Sequence, residues 1–600
     1  MTMKIMKLYN KVVLVLCLAA AGLLSSCSLI DDFMTVYPTN QITSETFWED
    51  KNDLQSVVNA CYTQLYSCTD RMFVWGEIRS DNFLLTSESN ENIKNIMNAN
   101  LLPANSWFDW STFYTGISFC NLCLQKGPEI VEKDASFSTN DWKPIEAELK
   151  ALRALYYFYL VRAFRDVPFV VEANDTSEGA KNPVPQTSSE EILSFLISDL
   201  DQVKDNGMIN YGSDDLNKAR FTKLGIYALL CDMFLWRASK NSSADSIAKY
   251  PGEAEKDYLR VIGLADTLRD ELLQQFREGR EDYYGSDRSP YKGDDVTPLP
   301  LYITDRMGRV VDKPYNEIFG NKYSLESLFE IAYDGSTNSN YVVTTYLGAA
   351  SNNTYSPGAL SAAAAYQSMS TKPDDAVTAY SKTDLRYYEN IQRNSGNSTS
   401  AVYNIIKFTP RNITTEGADD LSSQTAGAVN INYNNLRNPC DANYMVYRIS
   451  DILLMKAEAI ACLQQYILKA DDEGQLHEAF CEAKGVFARS NPQIGNDDIT
   501  FESYNSSQLL EEYVMRERQR ELFAEGKRWF DLVRYAMRQG STSKMLNLLV
   551  IKYSTNSSAI KAKLATLNSL FNPVYKEEIK VNPALVQNPA WVTDESIVKN

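Results

Sequence analysis

Apolar residues recur at helical spacing over most of this chain, and the clearest example runs from Asp141 to Arg165. There Leu149, Leu152, Tyr156, Tyr159 and Ala163 fall on one face of a helix, Pro144 suits its first turn, and alanines between the large side chains leave room for a close neighbour. Further amphipathic segments lie at Ser44 to Tyr66, with Ser44 as N-cap, and at Phe113 to Leu124, Ser189 to Val203, Lys218 to Ala238, Glu253 to Phe276, Tyr444 to Leu463 and Glu473 to Ala488. Alternation of helices without a strict period predicts a mainly α fold, built as a tetratricopeptide-like helix-pair scaffold.

Two stretches depart from that pattern. Residues 279 to 442 are rich in Asn, Ser, Gly and Tyr and hold few helical windows, apart from Ala359 to Ser368. Leu328 to Tyr333, Tyr341 to Tyr346 and Val402 to Lys407 read as short strands. So many aromatic residues argue against disorder, and the stretch is expected to form an irregular, loop-rich second lobe packed on the helices. The second departure is Leu509 to Arg534, two helix-forming runs broken by Gly526. Glu517, Glu521 and Glu525 stand in one row, with Arg516 and Arg520 beside it. This spacing predicts ion pairs along a solvated surface.

Charge and composition narrow the function. The chain carries 59 basic against 77 acidic residues, a formal charge of -18. A nucleic-acid partner is disfavoured, because phosphate binding needs a basic face. Anionic lipid would repel such a body, so membrane attachment requires a covalent anchor. The amino terminus carries Lys4, Lys7 and Lys11, an apolar run from Val12 to Leu24, then Leu24-Ser25-Ser26-Cys27. That run falls short of the roughly 20 residues that span a bilayer and reads as a signal peptide.

The single histidine, His477, lies in a polar stretch without a nucleophile signature and is expected at the surface; it makes histidine-dependent triads and two-histidine zinc motifs untenable. No G-x-S-x-G, P-loop or dinucleotide glycine pattern is present, and no cofactor is expected. Cys120-x-x-Cys123 falls in an apolar helical run with no second pair at matching distance, so both cysteines are expected as small core residues.

Several motifs resemble one family. Leu24-Ser25-Ser26-Cys27 resembles a bacterial lipobox, which implies acylation of Cys27. The run Arg516-x-x-x-Arg520-Glu521-Leu522-x-x-Glu525-Gly526-x-Arg528-x-x-Asp531-Leu532-x-Arg534 resembles the carboxy-terminal signature of the SusD/RagB family, nutrient-binding lipoproteins of the Bacteroidota outer membrane. Residues 141 to 170, 444 to 460 and 571 to 589 are similar to the family as well; the middle of the chain is not covered. The resemblance implies a signal peptide over 1–26, a lipidated tether over 27–45, helical regions over 46–278 and 443–600, and the irregular lobe over 279–442. It implies a non-catalytic, cell-surface lipoprotein of the outer membrane that binds an oligosaccharide and passes it to a SusC-like TonB-dependent transporter. It also makes the charged residues of the signature scaffold.

Alternatives from the residues and the family stay open: a peptide-binding uptake lipoprotein of the RagB type, or a glycosidase using two carboxylates. For a sugar site, rings that stack on apolar faces and polar groups that bond the hydroxyl rim are required. By region, the candidates are Asp81, Asn82, Trp107 and Asp109 in the early loops and Tyr283, Tyr284, Tyr291, Tyr302, Tyr341 and Tyr346 in the irregular lobe, with Trp110 expected in the core. Bound ions are left unknown.

Overall fold

The computed structural model describes residues 47–173, 183–279, 315–320, 322–351, 354–394, 402–408, 412–415, 429–432, 440–491 and 499–592. Cys27, Ser44, Tyr283, Tyr284, Tyr291 and Tyr302 lie outside these residues. Ten helices carry the argument: α1 (Lys51–Glu77), α2 (Ser111–Lys133), α3 (Thr139–Phe164), α4 (Ser189–Asp201), α5 (Lys223–Lys240), α6 (Glu253–Gly279), α7 (Ile449–Cys462), α8 (Glu473–Ser490), α9 (Ser507–Glu521) and α10 (Arg528–Gln539). Each of α1 to α9 packs on helices near it in sequence, while α10 packs back on both α1 and α5 and closes the scaffold. This is the mainly α helix-pair architecture expected from the periodicity. No helix among the described residues is long and apolar enough to cross a membrane.

Burial explains where element boundaries moved. α1 is capped by Asp50, whose carboxylate forms a capping box with Asp53, and runs on through Glu77, eleven residues beyond the expected end. Its last turns, Met72 to Glu77, are buried all round, so no polar stripe marks them as helix. α3 is likewise enclosed from Ala147 to Phe164 apart from the half-buried Lys150, and its cap is Ser138, which places Pro144 beyond the first turn. Tyr444–Arg448, expected as helix, is a strand paired antiparallel with Ser327–Ile331. Its aromatic and β-branched side chains fit a pleated surface. Tyr341 to Tyr346, expected as a strand, holds a π-helical turn at Val343–Leu347, and Ala359 to Ser368 holds a strand at Leu360–Ala362 and a 3-10 turn at Ala364–Tyr366 in place of a helix. The described strands form two-stranded ladders only. One of them joins Leu360–Ala362 to Phe83–Leu85, so the middle of the chain is tied to both flanking regions.

The largest correction concerns charge. Glu517, Glu521 and Glu525, expected on a solvated face, are buried, as are Arg520, Arg528, Asp531 and Arg534. Glu521 receives Arg386 at 3.1 Å and Arg448 at 2.5 Å, together with Arg489 and the Tyr315 hydroxyl. Glu525 holds Arg448 at 2.7 Å and Lys407 at 2.5 Å. A second cluster links Asp451, Arg518, Asp531, Arg534, Glu458 and Arg538 at 2.7–2.9 Å. Helices α7 to α10 and the middle of the chain are thus joined by paired charges in a dry interior, where each ion depends on its partners.

A pH profile follows from these pairs. Arg518 and Lys527 hold Asp451 at about 2 against the strong effect of burial, and cations likewise hold Glu521 and Glu525 below the ordinary glutamate value. The stability they contribute is full above their unfolded values and is lost as pH falls through the folded ones. Burial pushes Glu77 up to about 7 and raises Glu326, Glu330 and Glu517. For these the folded state holds the proton more tightly, so stability declines as pH climbs from the unfolded value through the folded one. Scanning calorimetry is expected to show Tm highest near about pH 5–6, falling steeply below about pH 4 and more gently above 6. A Tm unchanged down to pH 3 would contradict this assignment.

Candidate ligand-binding site

The last turns of α1 present Tyr66, Asp70 and Arg71, each partly exposed, on neighbouring positions of the helix. Facing them is the short turn Ser106–Phe108, fixed by its own side chains: the Asn105 amide oxygen accepts the Trp107 N–H at 3.1 Å. The buried Trp75 indole donates to the Trp107 carbonyl at 2.8 Å. Arg71 completes the frame, donating from Nε to the Asp109 carbonyl at 2.7 Å and approaching the Asp109 carboxylate at 3.5 Å. Asp109 also accepts the Ser111 N–H at 2.8 Å at the start of α2.

Around this frame the rings accumulate. Trp107 meets Tyr346 edge-on at 6.2 Å, with the Arg71 guanidinium 5.9 Å from its centroid. Tyr66 lies 5.3 Å from Tyr333, whose hydroxyl is bonded to Thr69 at 2.9 Å. The loop between Tyr333 and Tyr346 carries Tyr341, which is 64% exposed. Asp334 stabilises that loop by accepting the N–H groups of Asn338, Ser336 and Thr337 at 3.2, 2.6 and 2.7 Å, which holds its carboxyl well below the usual range. Burial raises Asp70, with Arg71 opposing. The arrangement offers half-open rings on rigid supports, with a guanidinium and carboxylates at their edge: a surface suited to a ligand with apolar faces and a hydroxyl rim.

Of the residues nominated from the sequence, Trp107, Asp109 and Tyr346 come together here, with Tyr341 on the adjoining loop. Tyr346 is buried and stacked on Phe73 at 5.5 Å, so it supports Trp107 and offers no free face. Asp81 and Asn82 lie elsewhere. Asn82 is 0% exposed, donating to Glu77 at 2.7 Å and accepting from Tyr366 at 2.8 Å and Gln519 at 3.1 Å. That corrects its nomination: an enclosed, fully paired amide cannot reach an external ligand. Asp81 forms a two-point pair with Arg528 at 2.8 and 2.9 Å. Trp110 is in the core, as expected. Tyr66, Asp70 and Arg71 are not among the nominated residues, because the periodicity predicts a helix that ends at Tyr66; the signal in the sequence is the Tyr-x-x-x-Asp-Arg spacing.

His477, expected at the surface, is half-buried on α8, 3.7 Å from the Cys481 sulfur and against Phe501. Cys120 and Cys123 are buried free thiols, as expected, and the hydrogen bond with Cys61, with burial added, pushes Cys123 well above the ordinary thiol range.

Comparison with known proteins bears on the whole chain. The family model described as the SusD family matches residues 307–591, and a second, described as starch-binding associating with outer membrane, matches residues 32–235. The chain belongs to the SusD family. SusD-like protein P38 of Formosa agariphila is 26% identical over 537 residues, 88% of this chain and 92% of that protein. Among solved structures, a SusD superfamily protein from Bacteroides vulgatus ATCC 8482 is similar at a TM-score of 0.62 and 17% identity, covering 91% of this chain and all of that one. A laminarin binding SusD-like protein and a surface glycan-binding protein A from Bacteroides uniformis each reach 0.57, at 20% and 21% identity, covering 90% of this chain and 100% of theirs. The SusD fold therefore accounts for both the helical scaffold and the ladders tied into it.

Proposed function

We propose that this SusD-family protein is a non-catalytic carbohydrate-binding lipoprotein of the outer membrane, anchored through Cys27 and exposed at the cell surface, which captures an oligosaccharide and delivers it to a SusC-like TonB-dependent transporter. The observation that carries the binding assignment is the half-open cluster of Tyr66, Trp107 and Arg71, with the exposed Tyr341 beside it, set on α1 and two braced loops. The descriptions of the relatives as starch-binding, laminarin binding and glycan-binding support a sugar as the ligand class. Trp107 and Tyr341 would stack on sugar rings, and Asp70, Arg71 and Asp109 would bond hydroxyls.

Titration calorimetry with laminarin- and starch-derived oligosaccharides tests the reading. Trp107→Ala is expected to weaken binding at least about tenfold, or about 1.4 kcal/mol, and Tyr341→Ala by a smaller factor, with Tm little changed for the exposed Tyr341. Wild-type affinity in both variants would place the site elsewhere. Binding of peptides in place of sugars would move the ligand class but not the fold.

A further inference from the structure

A cavity of about 380 Å³ lies between α9, α10, the helix Ser543–Leu549 with its 3-10 extension Val550–Lys552, and residues 363–379. None of the rings of the glycan cluster lines it. Its polar residues include Arg516, Arg520, Arg528, Lys544 and Lys552 against Asp81, Asp375 and Glu512, an excess of cations in a chain of net charge -18.

Most of these charges are committed. Asp81 holds Arg528 at two points, and Asp374 holds Arg516 and Arg520 at 2.6 and 2.7 Å. Lys552 differs. It is 7% exposed and donates to the Ser80 carbonyl; burial lowers it to about 7 against the pull of Asp81 and Glu77, neither of which forms an ion pair with it among the described residues. Arg520 also has a buried Nη2 without a hydrogen-bond partner among the described residues. A buried cation without a counter-ion is costly, and an anion beside it would relieve that cost. The same cavity is rimmed by apolar side chains left in water: Val377 is 71% and Ile551 62% exposed. Single exposed apolar residues are ordinary, but two around one charged cavity mark a place for a partner with an apolar part.

We infer that this cavity binds a small amphipathic carboxylate, its head beside Lys552 and Arg520 and its aliphatic tail along Val377 and Ile551. The inference does not depend on the glycan reading, since the two sites share no residue.

Octanoate, with octanamide as its neutral counterpart, is the probe, titrated calorimetrically into the full chain. Octanoate is expected to bind saturably at one site and octanamide at least tenfold more weakly. Lys552→Met keeps the side-chain volume and removes the buried amine, so it is expected to fold and to weaken octanoate at least tenfold. Ile551→Asp, at an exposed rim position, is expected to do the same by repelling the head and wetting the tail. Oligosaccharide affinity should be unchanged in both variants. Non-saturable octanoate heats, equal binding of octanamide, or wild-type octanoate affinity in the two variants would overturn the inference.

Discussion

Replacing Glu521 by Gln is expected to lower the free energy of unfolding by about 3–5 kcal/mol, the range for removing one partner from a buried ionic cluster. The substitution keeps the shape of the side chain and removes only its charge. Three guanidiniums, Arg386, Arg448 and Arg489, converge on that one carboxylate, and all of them are enclosed. Glu326, Glu517, Glu525 and Asp384 still offer charge to them, but each is already bonded within the same network. Were α9 the solvated, salt-laced helix that its charge pattern suggests, the same change would cost at most about 0.5 kcal/mol. Urea unfolding with an unchanged m-value separates the two cases. A loss below about 1 kcal/mol would mean that the network is open to water.

The second large effect is expected at the glycine that breaks the signature. Gly526 sits at φ +75°, and a Cβ there would lie 2.2 Å from the Tyr444 hydroxyl oxygen. Its own carbonyl is approached so closely by Gly76 of α1 that a Cβ on Gly76 would meet it at 1.9 Å. Here α1 and the start of α10 touch backbone to backbone, and Glu77 caps the junction by accepting the N–H groups of Lys527 at 3.0 Å and Arg528 at 3.4 Å. Gly526→Ala should therefore cost about 2–4 kcal/mol, combining left-handed strain with overpacking. Gly76→Ala should cost at least as much, because the atom it meets is backbone.

Tyr444→Phe offers a check on the cause. The Tyr444 hydroxyl meets no hydrogen-bond partner among the described residues, and without it the next atom is 3.5 Å from the added Cβ. Tyr444→Phe is expected to be near neutral alone and to recover about 1–2 kcal/mol in the Gly526→Ala background. Strict additivity of the two would show that strain at φ +75° is the whole cost.

The sequence was readable where side chains alternate between two environments and misleading where they do not. α4, α6 and α8 keep a wet face and were located within a few residues. The end of α1 and the strand Tyr444–Arg448 are enclosed on all sides, so period carries no information there. Charge was misread for a related reason. An i,i+4 row of Glu and Arg has the same spacing on a wet face as in a dry network; what distinguishes them is the set of distant partners, Arg386, Arg448 and Arg489 for Glu521, which no local window contains. The candidate site is legible in part. Trp107 and Asp109 stand out as chemistry in an aperiodic stretch, whereas Asp70 and Arg71 lie past the helix end that the periodicity predicts, and Asn82 belongs to the same stretch as Asp81 but points into the scaffold.

In the proposed function the cluster around Trp107 and Arg71 holds a sugar without cutting it. The measurement that reaches it most directly is titration of laminarin- and starch-derived oligosaccharides into the wild type and Trp107→Ala, followed by chromatography of the recovered sugars. Saturable binding by the wild type, its loss in the variant, and sugars recovered at their original length are the predicted result. Shortened sugars, or a variant that binds as tightly as the wild type, would contradict the account.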